Sequence, residues 1–495
     1  MYLGIDCGTQ GTKVVVCDTD KKTVIATGYC KHELLSSENG KREQHVEWWI
    51  DALKSALEEV KQSSGVDLSR VKALGVSGQQ HGMVLLDKQD QPLHPAKLWC
   101  DTETSQENAD ILAALGGSQG CLDKLGLEIQ TGYTASKILW FYRNHPEKYA
   151  KISKVMLPHD YLNYWMTGEF VSEFGDASGT GYMNVRDRSY DPEVFKIAGP
   201  GLDGESCLPK LNDACKAHGF LTEAAAKALG LPAGLLVSSG GGDNMMGAIG
   251  TGNIAPGIVT MSLGTSGTLY AFSDKYPKSN SMIASFCSSN DGWLPLICTM
   301  NVTSTTTLLQ NLFDKDIAAF TEMLESTQPG ADGITMLPFF NGERLPPLPN
   351  AKASIHGLTP ENMSQANLFR ASTEAATFTV RYGLDLFRAQ GIEPSEIRLI
   401  GGGAKNTVWR QMVADIMNVA VICPQEHEAA ALGSAIQAMW SYGQYQGNDV
   451  ELQALCEQWV RLDDSTRALP KAQNVTQYEA AYQRYKQYLK HQYNY

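Results

Sequence analysis

Two aspartates adjoin glycine-rich turns, where their carboxylates could take part in phosphate chemistry. Asp243 directly follows three glycines in GGGDN (240–244), and Asp6 stands two residues before the first glycine of GTQGT (8–12). A positioned carboxylate can accept a hydroxyl proton, and a carboxylate beside phosphate-binding amides suits Mg²⁺. Aspartate in such a turn is also a common cap of local backbone. Spacing alone favours the interpretation of Asp243 as a helix N-cap. For Asp6, a role as a turn cap that bonds local backbone amides remains an alternative.

The turn GTQGT has a near copy, GTSGT, at residues 264–268. Both copies lie between short apolar runs, a pattern that predicts a β-hairpin with glycines at its turn. Such turns expose backbone N–H groups that can bind phosphate, although a five-residue match also arises by chance. Ser262 stands where the first copy has Asp6. Lys13 beside the first turn could neutralise phosphate charge or be a solvated strand residue.

A later strand followed by three glycines also occurs twice. Residues 235–237 lead into GGGDN, and residues 397–400 lead into GGGAKN (401–406). This repeated order predicts two related domains facing each other, with a polyphosphate in the cleft between them. We place the domains at residues 1–250 and 251–495, divided within the glycine-rich stretch 240–257.

The loop GQQHG (78–82) places two amides and an imidazole between glycines after a mostly apolar run. Gln80 and His81 in this loop could hydrogen-bond several hydroxyls of a sugar. A histidine in a loop without a ligand is the commoner case. The sequence contains no GxxxxGK[ST] and no HExxH, which argues against a P-loop enzyme and a zinc protease.

Apolar periodicity predicts helices at residues 45–60, 367–387 and 408–417, and a polar, tyrosine-rich helix at residues 477–489. These helices alternate with strands, so the predicted class is α/β. A chain of 495 residues exceeds what one hydrophobic core usually holds, which also favours two domains.

Composition restricts the environment and the partners. No stretch approaches the ~18 apolar residues of a membrane helix, and the start has no basic region of a signal peptide. Eleven cysteines without a CxxC pair indicate reduced thiols, so we expect a cytoplasmic protein. A net charge of −13 argues against nucleic acid and anionic membranes as partners.

At these residues the chain resembles the FGGY family of carbohydrate kinases over nearly its whole length. The first turn lies in YLGIDCGTQGTKVVVCD, and GYTASKILWFYRN (132–144) has Lys137 and Trp140 at the family's fixed positions. A second family pattern fits ASIHGLTPENMSQANLFRASTE (353–374), apart from Thr373 in place of an aliphatic or aromatic residue. The segments MSLGTSGT, GGGDN, NGERLP and RLIGGGAKNTVWRQMVADI are similar as well.

This resemblance implies a duplicated actin-like, ribonuclease H-like fold and Mg²⁺-dependent phosphoryl transfer from ATP to a sugar hydroxyl. The form GQQHG resembles the loop of family members that act on D-xylulose. By the same resemblance, Asp243 is the base, and Asp6 and Asp243 are the metal carboxylates. The implied nucleotide residues are Gly8, Thr9, Gln10, Thr12, Lys13, Gly264 and Thr265, with Gly402, Gly403, Ala404 and Asn406 at the adenosine. The implied sugar residues are Gln80, His81, Trp99, Asp101, Asp243 and Asn244.

Three alternatives stay open at this point. The nearest is another kinase of the family, acting on ribulose, another ketose, a polyol or gluconate. An actin- or Hsp70-like ATPase with a conformational or polymeric output is a second alternative, although residues 407–495 leave little room for a peptide-binding domain. A sugar sensor without turnover is disfavoured by the presence of both carboxylates. The residues do not determine the oligomeric state, and a homodimer stays open.

Overall fold

The computed structural model describes all residues from Met1 to Tyr495, and they form two compact units. Unit 1 contains residues 1–254, 273–294 and 428–460, and unit 2 contains residues 255–272, 295–427 and 461–495. The first crossing between the units lies close to the predicted boundary at residue 250. Residues 273–294 and 428–460, which the sequence prediction placed in the second domain, belong to unit 1.

The strands and helices that position the site are numbered in chain order. The strands are β1 Tyr2–Cys7, β2 Gly11–Asp18, β3 Thr23–Lys31, β4 Ala73–Gly78, β5 Ala217–Phe220, β6 Leu236–Ser238, β7 Gly241–Gly242, β8 Ile258–Leu263, β9 Gly267–Ala271, β10 Trp293–Thr299, β11 Glu396–Ile400, β12 Ala420–Pro424 and β13 Leu462–Ala468. The helices are α1 Val46–Ser64, α2 Thr134–Asn144, α3 Pro158–Thr167, α4 Asp243–Gly250, α5 Gln365–Ala389, α6 Thr407–Met417, α7 Ala429–Tyr445 and α8 Ala472–Tyr493.

Unit 1 is built on a mixed sheet with the strand order β5-β6-β4-β1-β2-β3. The predicted first hairpin is confirmed, because β1 and β2 pair antiparallel with Asp6 opposite Lys13. Strand β4 runs parallel to β1, and β7 runs parallel to the end of β4. Parallel strands end at the same edge of a sheet, so the turn 8–12, the loop 78–82 and Asp243 meet at one edge.

Helices of unit 1 hold the sheet edge that carries the turn 8–12, the loop 78–82 and Asp243. Helix α1 confirms the helix predicted at residues 45–60, and it ends at Gly65, which adopts the left-handed conformation at φ 63°. Helices α4 and α7 pack unusually closely. A Cβ added at Gly250 would lie 1.8 Å from the Ala429 carbonyl oxygen, and one added at Gly433 would lie 1.8 Å from that of Met246. These glycines therefore permit the contact that holds α4, whose first residue is Asp243.

Unit 2 repeats this topology with the strand order β10-β9-β8-β11-β12-β13. Strands β8 and β9 form the predicted second hairpin, with Ser262 opposite Thr268, and β11 runs parallel to β8. Strand β11 is therefore the counterpart of β4, and β12 is the counterpart of β6. The predicted pairing of GGGDN with GGGAKN is wrong in topology. The glycines at 401–403 follow the counterpart of β4, so they correspond to the GQQHG loop.

The predicted helices of unit 2 are confirmed as α5, α6 and α8. The terminal helix α8 has a polar composition, but one of its faces is buried in the core. On that face, Tyr478, Tyr482 and Tyr485 are each at most 2% exposed. Tyr485 bonds the Thr379 hydroxyl, so its polar end is satisfied inside the core. Nowhere in the chain does a helix combine the length and apolar character that a membrane crossing requires.

Candidate active site

Asp243 is the first residue of α4, and Gly242 occupies the capping position before it. The N-cap alternative for Asp243 is thus not what the structure shows. Its Oδ1 accepts hydrogen bonds from the Asn244 backbone N–H at 2.8 Å and from the Asn244 amide at 3.0 Å. Burial, and then the negative charges of Asp6 and Asp176, raise the pKa of Asp243 to about 7. This carboxyl group is therefore matched to proton transfer near neutral pH.

A fully buried glutamine of α7 holds the turn before Asp243. The Oε1 atom of Gln437 accepts from the Ser238 hydroxyl and the Gly240 N–H, each at 2.8 Å. Its Nε2 donates to the Ser239 hydroxyl and the Gly240 carbonyl, each at 2.9 Å. The side-chain amide of Gln437 thus makes all four of its possible hydrogen bonds, and all of them are to residues 238–240. Sequence reasoning missed Gln437, because it lies nearly 200 residues from the turn.

The GQQHG loop is joined directly to the Asp243 turn. The Asn244 amide donates to Gln80 Oε1 at 2.7 Å, so Asn244 bridges Gln80 and Asp243. The His81 ring stacks on Tyr133 with centroids 4.3 Å apart, and its Nδ1 donates to the Gly179 carbonyl at 2.7 Å. A carbonyl only accepts, so Nδ1 carries a proton in this contact.

Lys137, the fixed lysine of the family pattern, holds the backbone of this loop. Its ammonium is fully buried and donates to the carbonyls of His81 at 2.6 Å and Gly132 at 2.5 Å. Burial lowers the pKa of Lys137 to about 7. His81 has φ 62°, a conformation that needs such support in a residue other than glycine.

Asp6 and Lys13 face each other beside the first turn. Asp6 Oδ1 accepts from the Ser77 hydroxyl at 2.8 Å, and burial raises the pKa of Asp6 although Ser77 and Lys13 oppose the shift. The Lys13 ammonium forms an ion pair with Glu428 at the start of α7. Lys13 is therefore partnered, while its side chain stays 38% exposed on strand β2.

The first turn itself is tightly closed and braced. The Gly8 N–H donates to the Gly11 carbonyl at 3.0 Å. The Thr9 hydroxyl donates to Gln79 Oε1 at 3.0 Å and accepts from Trp99 Nε1 at 2.9 Å. Thr9 thus connects the turn to the GQQHG loop and to Trp99.

A buried histidine that the sequence did not single out supports the other side of the turn. His32 lies within hydrogen-bond distance of the Thr12 hydroxyl (2.9 Å) and the Gly8 carbonyl (3.2 Å). Its backbone N–H donates to the Gln10 carbonyl, while the Gln10 side chain is exposed. Burial lowers the pKa of His32 to about 4, so the ring is neutral at physiological pH.

Asp101, a predicted sugar residue, lies in a buried cluster of charged side chains. It is fully buried, and its oxygens accept from the backbone N–H groups of Arg42 at 2.8 Å and Glu103 at 3.1 Å. The buried Lys97 ammonium lies 3.0 Å from Asp101 and also pairs with Glu43 and Glu103. These three carboxylates have metal-like spacing, but the ammonium occupies their centre. The carboxylate of Asp101 is therefore committed to the fold.

The predicted nucleotide residues of unit 2 lie close together at one edge of its sheet. The Gly264 carbonyl accepts from the Thr303 N–H at 3.0 Å, which ties the second turn to the helix Thr303–Phe313. Thr265 is exposed in the same turn. Gly403 is buried against Leu263, whereas a Cβ at Gly402 would meet open space. Ala404 is buried, and Asn406 caps α6 by accepting from the Trp409 N–H.

Two units with the same strand order and a glycine turn after the first strand define an actin-like, phosphate-binding class of protein. The structure is similar to the crystal structure of a xyloylose kinase from Brucella ovis, with TM-score 0.91, 29% identity and 98% of each chain covered. It is also similar in fold to a gluconate kinase from Lactobacillus acidophilus, with TM-score 0.90, 23% identity and coverage of 99% and 97%.

The sequence comparison gives the family within this class. Residues 1–250 match the N-terminal domain, and residues 259–442 the C-terminal domain, of the FGGY family of carbohydrate kinases. The chain belongs to the FGGY family of carbohydrate kinases, and it is an ATP-dependent sugar kinase. A xylulose kinase from Haemophilus influenzae is 56% identical over 495 residues, which are 99% of each sequence.

Proposed function

We propose that the protein transfers the γ-phosphoryl group of ATP to the 5-hydroxyl of D-xylulose, yielding xylulose 5-phosphate and ADP. The full-length relationship to the xylulose kinase of Haemophilus influenzae carries this choice of sugar. The fold alone does not select the sugar, since a gluconate kinase has nearly the same structure. Within the site, Gln80 and Asn244 adjoin Asp243, which supports a polyhydroxy substrate there.

Asp243 is the base of this proposal. Asn244 holds Oδ1 through two hydrogen bonds, which leaves Oδ2 for the 5-hydroxyl. In a loose phosphoryl-transfer transition state the hydroxyl loses its proton late, so orientation matters more than strong basicity. The raised pKa of about 7 keeps a usable fraction of Asp243 ionised at neutral pH while favouring acceptance of the proton.

The carboxylate of Asp6 fits a Mg²⁺ ion that arrives with ATP, because Asn244 and the 5-hydroxyl take up both oxygens of Asp243. Both carboxylates are half-buried at the edge beside the first turn, and Mg²⁺ in nucleotide sites takes one or two carboxylates with phosphate oxygens and waters. Held there, such an ion would supply neutralisation of negative charge on the phosphates. Backbone N–H groups of the first turn would supply further donors, with Lys13 as a nearby cation.

The remaining contacts divide between sugar and adenosine. Gln80, His81 and Asn244 are the sugar residues we retain, and Trp99 borders the same edge through Thr9. The exposed Gly402, with Gly403, Ala404 and Asn406, is proposed to border the adenosine. All eleven cysteines are free thiols, as expected if the reaction takes place in the cytoplasm.

A panel of substrates tests this function. Initial rates of ADP release are measured with D-xylulose, D-ribulose, L-ribulose, glycerol and gluconate at saturating Mg–ATP. We expect the highest kcat/KM with D-xylulose and slow ADP release without sugar. A preference for another compound would refute the sugar, and fast sugar-independent hydrolysis would indicate an ATPase with another output.

A further inference from the structure

Two buried polar atoms beside Asp243 have no hydrogen-bond partner. They are Nε2 of Gln80, a donor, and Oδ1 of Asp176, an acceptor. Gln80 is 4% exposed and Asp176 is fully buried. An unpaired buried polar atom is costly, so each such atom in a folded protein calls for an explanation such as a bound molecule.

Both residues border the glycine that precedes Asp243. A Cβ added at Gly242 would lie 3.0 Å from Asp176 Oδ1 and 2.7 Å from Gln80 Cγ. The Asn244 amide, which donates to both Gln80 Oε1 and Asp243 Oδ1, also places Gln80 beside Asp243. The unpaired donor and the unpaired acceptor therefore lie next to the proposed base.

The other contacts of Asp176 fix its orientation. Its Oδ2 lies 2.6 Å from His159 Nδ1, and its backbone N–H donates to Glu173 Oε1. The opposite ring nitrogen of His159 lies 3.1 Å from Asp160 Oδ1. His159 thus holds one oxygen of Asp176 in place, and the other oxygen is the unpaired one.

We propose that Asp176 binds a hydroxyl group of the sugar through Oδ1, in concert with Nε2 of Gln80. The inference rests on the proposed function, because it assumes a small polyhydroxy substrate at this edge. A hydroxyl donates one proton and accepts others, so it can satisfy a carboxylate oxygen and an amide N–H at once. Asp243 takes the 5-hydroxyl, so Asp176 contacts the hydroxyl at C1, C3 or C4.

Such a contact would make Asp176 a specificity residue. A sugar that lacks the matching hydroxyl leaves a buried carboxylate unpaired, and sites of this kind reject the wrong substrate strongly. Hydrogen bonds to charged groups correspond to about ten- to hundredfold in binding. We therefore expect Asp176→Asn to raise the KM for D-xylulose by about this factor and to leave the KM for ATP unchanged.

Three analogues identify the hydroxyl: 1-deoxy-D-xylulose lacks it at C1, D-ribulose is the C3 epimer, and L-ribulose is the C4 epimer. In wild-type protein, kcat/KM should drop for each analogue. In Asp176→Asn, the ratio between D-xylulose and one analogue should shrink about tenfold or more. Ratios that stay within about twofold of wild type for all three analogues would overturn the proposal.

Asp160→Asn is the matched control. Asp160 Oδ1 lies 3.1 Å from the other ring nitrogen of the same histidine, and no atom of Asp160 is among the three atoms nearest to a Cβ at Gly242. We expect this variant to keep the wild-type sugar ratios, whatever it does to the melting temperature. An equal loss of discrimination in both variants would mean that the effect passes through His159, and the direct contact would be refuted.

A structure of the wild-type protein with D-xylulose decides the point even if Asp176→Asn fails to fold. The expected result is a sugar hydroxyl within hydrogen-bond distance of Asp176 Oδ1. A water molecule there, with the sugar bound elsewhere, would overturn the inference. If the substrate panel selects another sugar, the same test is made with that sugar, so failure of this contact is distinguishable from failure of the proposed function.

Discussion

The two glycine turns share a backbone arrangement and differ in the charges around it. In unit 1, Asp6 lies opposite Lys13 beside the turn, and Lys13 pairs with Glu428. In unit 2, the corresponding pair is Ser262 and Thr268, both neutral. A backbone turn suffices to present N–H groups to phosphate, whereas a metal also needs a carboxylate. Under the proposed function, both turns would contact phosphate, and only the first would also hold the metal.

The loops that follow strands β4 and β11, which have matching places in the two sheets, also differ in their side chains. After β4 come the amides and the imidazole of GQQHG, which bond to the Asp243 turn. After β11 come three glycines, and Gly402 there is exposed with open space above it. Side chains with many donors suit a sugar, and bare backbone suits close approach of a nucleotide. Under the proposed function, one topology would thus serve two kinds of ligand contact.

The largest expected effect is at Asp243, the proposed base in unit 1. Asp243→Ala should lower kcat by about 10²–10⁴, the usual cost of removing a general base. Binding of ATP, measured by titration calorimetry, should change little, because Asn244 and the turns remain. Near-normal turnover would remove Asp243 from the role of base.

Substitutions of Asp6 and of Ser262, which occupy matching positions before the two turns, compare the turns directly. Asp6→Asn should raise the Mg²⁺ concentration needed for half-maximal rate by about tenfold or more, as expected for loss of a charged ligand. Ser262→Ala, the corresponding change in unit 2, should leave the Mg²⁺ titration unaltered. Equal shifts in the two variants would contradict the view that only the first turn serves the metal.

The raised pKa of Asp243 predicts an acid limb in the pH profile. Protonated Asp243 cannot accept the hydroxyl proton, so kcat/KM should fall as the pH drops below about 7, by tenfold per unit. Rates across pH 5–9 in buffers of constant ionic strength measure this limb. A limb near pH 4 would mean that Asp243 has an ordinary pKa or is not the base.

The smallest effect concerns the glycines of unit 2. Gly402→Ala adds a methyl group into open space, so it should not lower the melting temperature. Because the adenosine is proposed to occupy that space, the methyl group should raise the KM for ATP a few-fold. Gly403→Ala places its Cβ 2.9 Å from Leu263 Cβ and should instead destabilise the fold. Unchanged ATP affinity in Gly402→Ala would argue against a nucleotide at this loop.

Local patterns predicted the hairpins, the helices and the glycine turns, because each depends on residues that are neighbours in sequence. The pairing of the triple glycines failed, since the same three letters follow strands with different places in the two sheets. Gln437, His32 and Asp176 escaped prediction for a related reason. Each acts through contacts with residues distant in sequence, and a buried polar side chain has no local signal.

The most direct test of the account is a structure of the protein with D-xylulose and Mg–ADP. We predict the 5-hydroxyl oxygen of the sugar within hydrogen-bond distance of Asp243 Oδ2, with Oδ1 still bound by Asn244 and the metal beside Asp6. A sugar whose 5-hydroxyl lies away from Asp243, or a metal bound beside the second turn only, would contradict it.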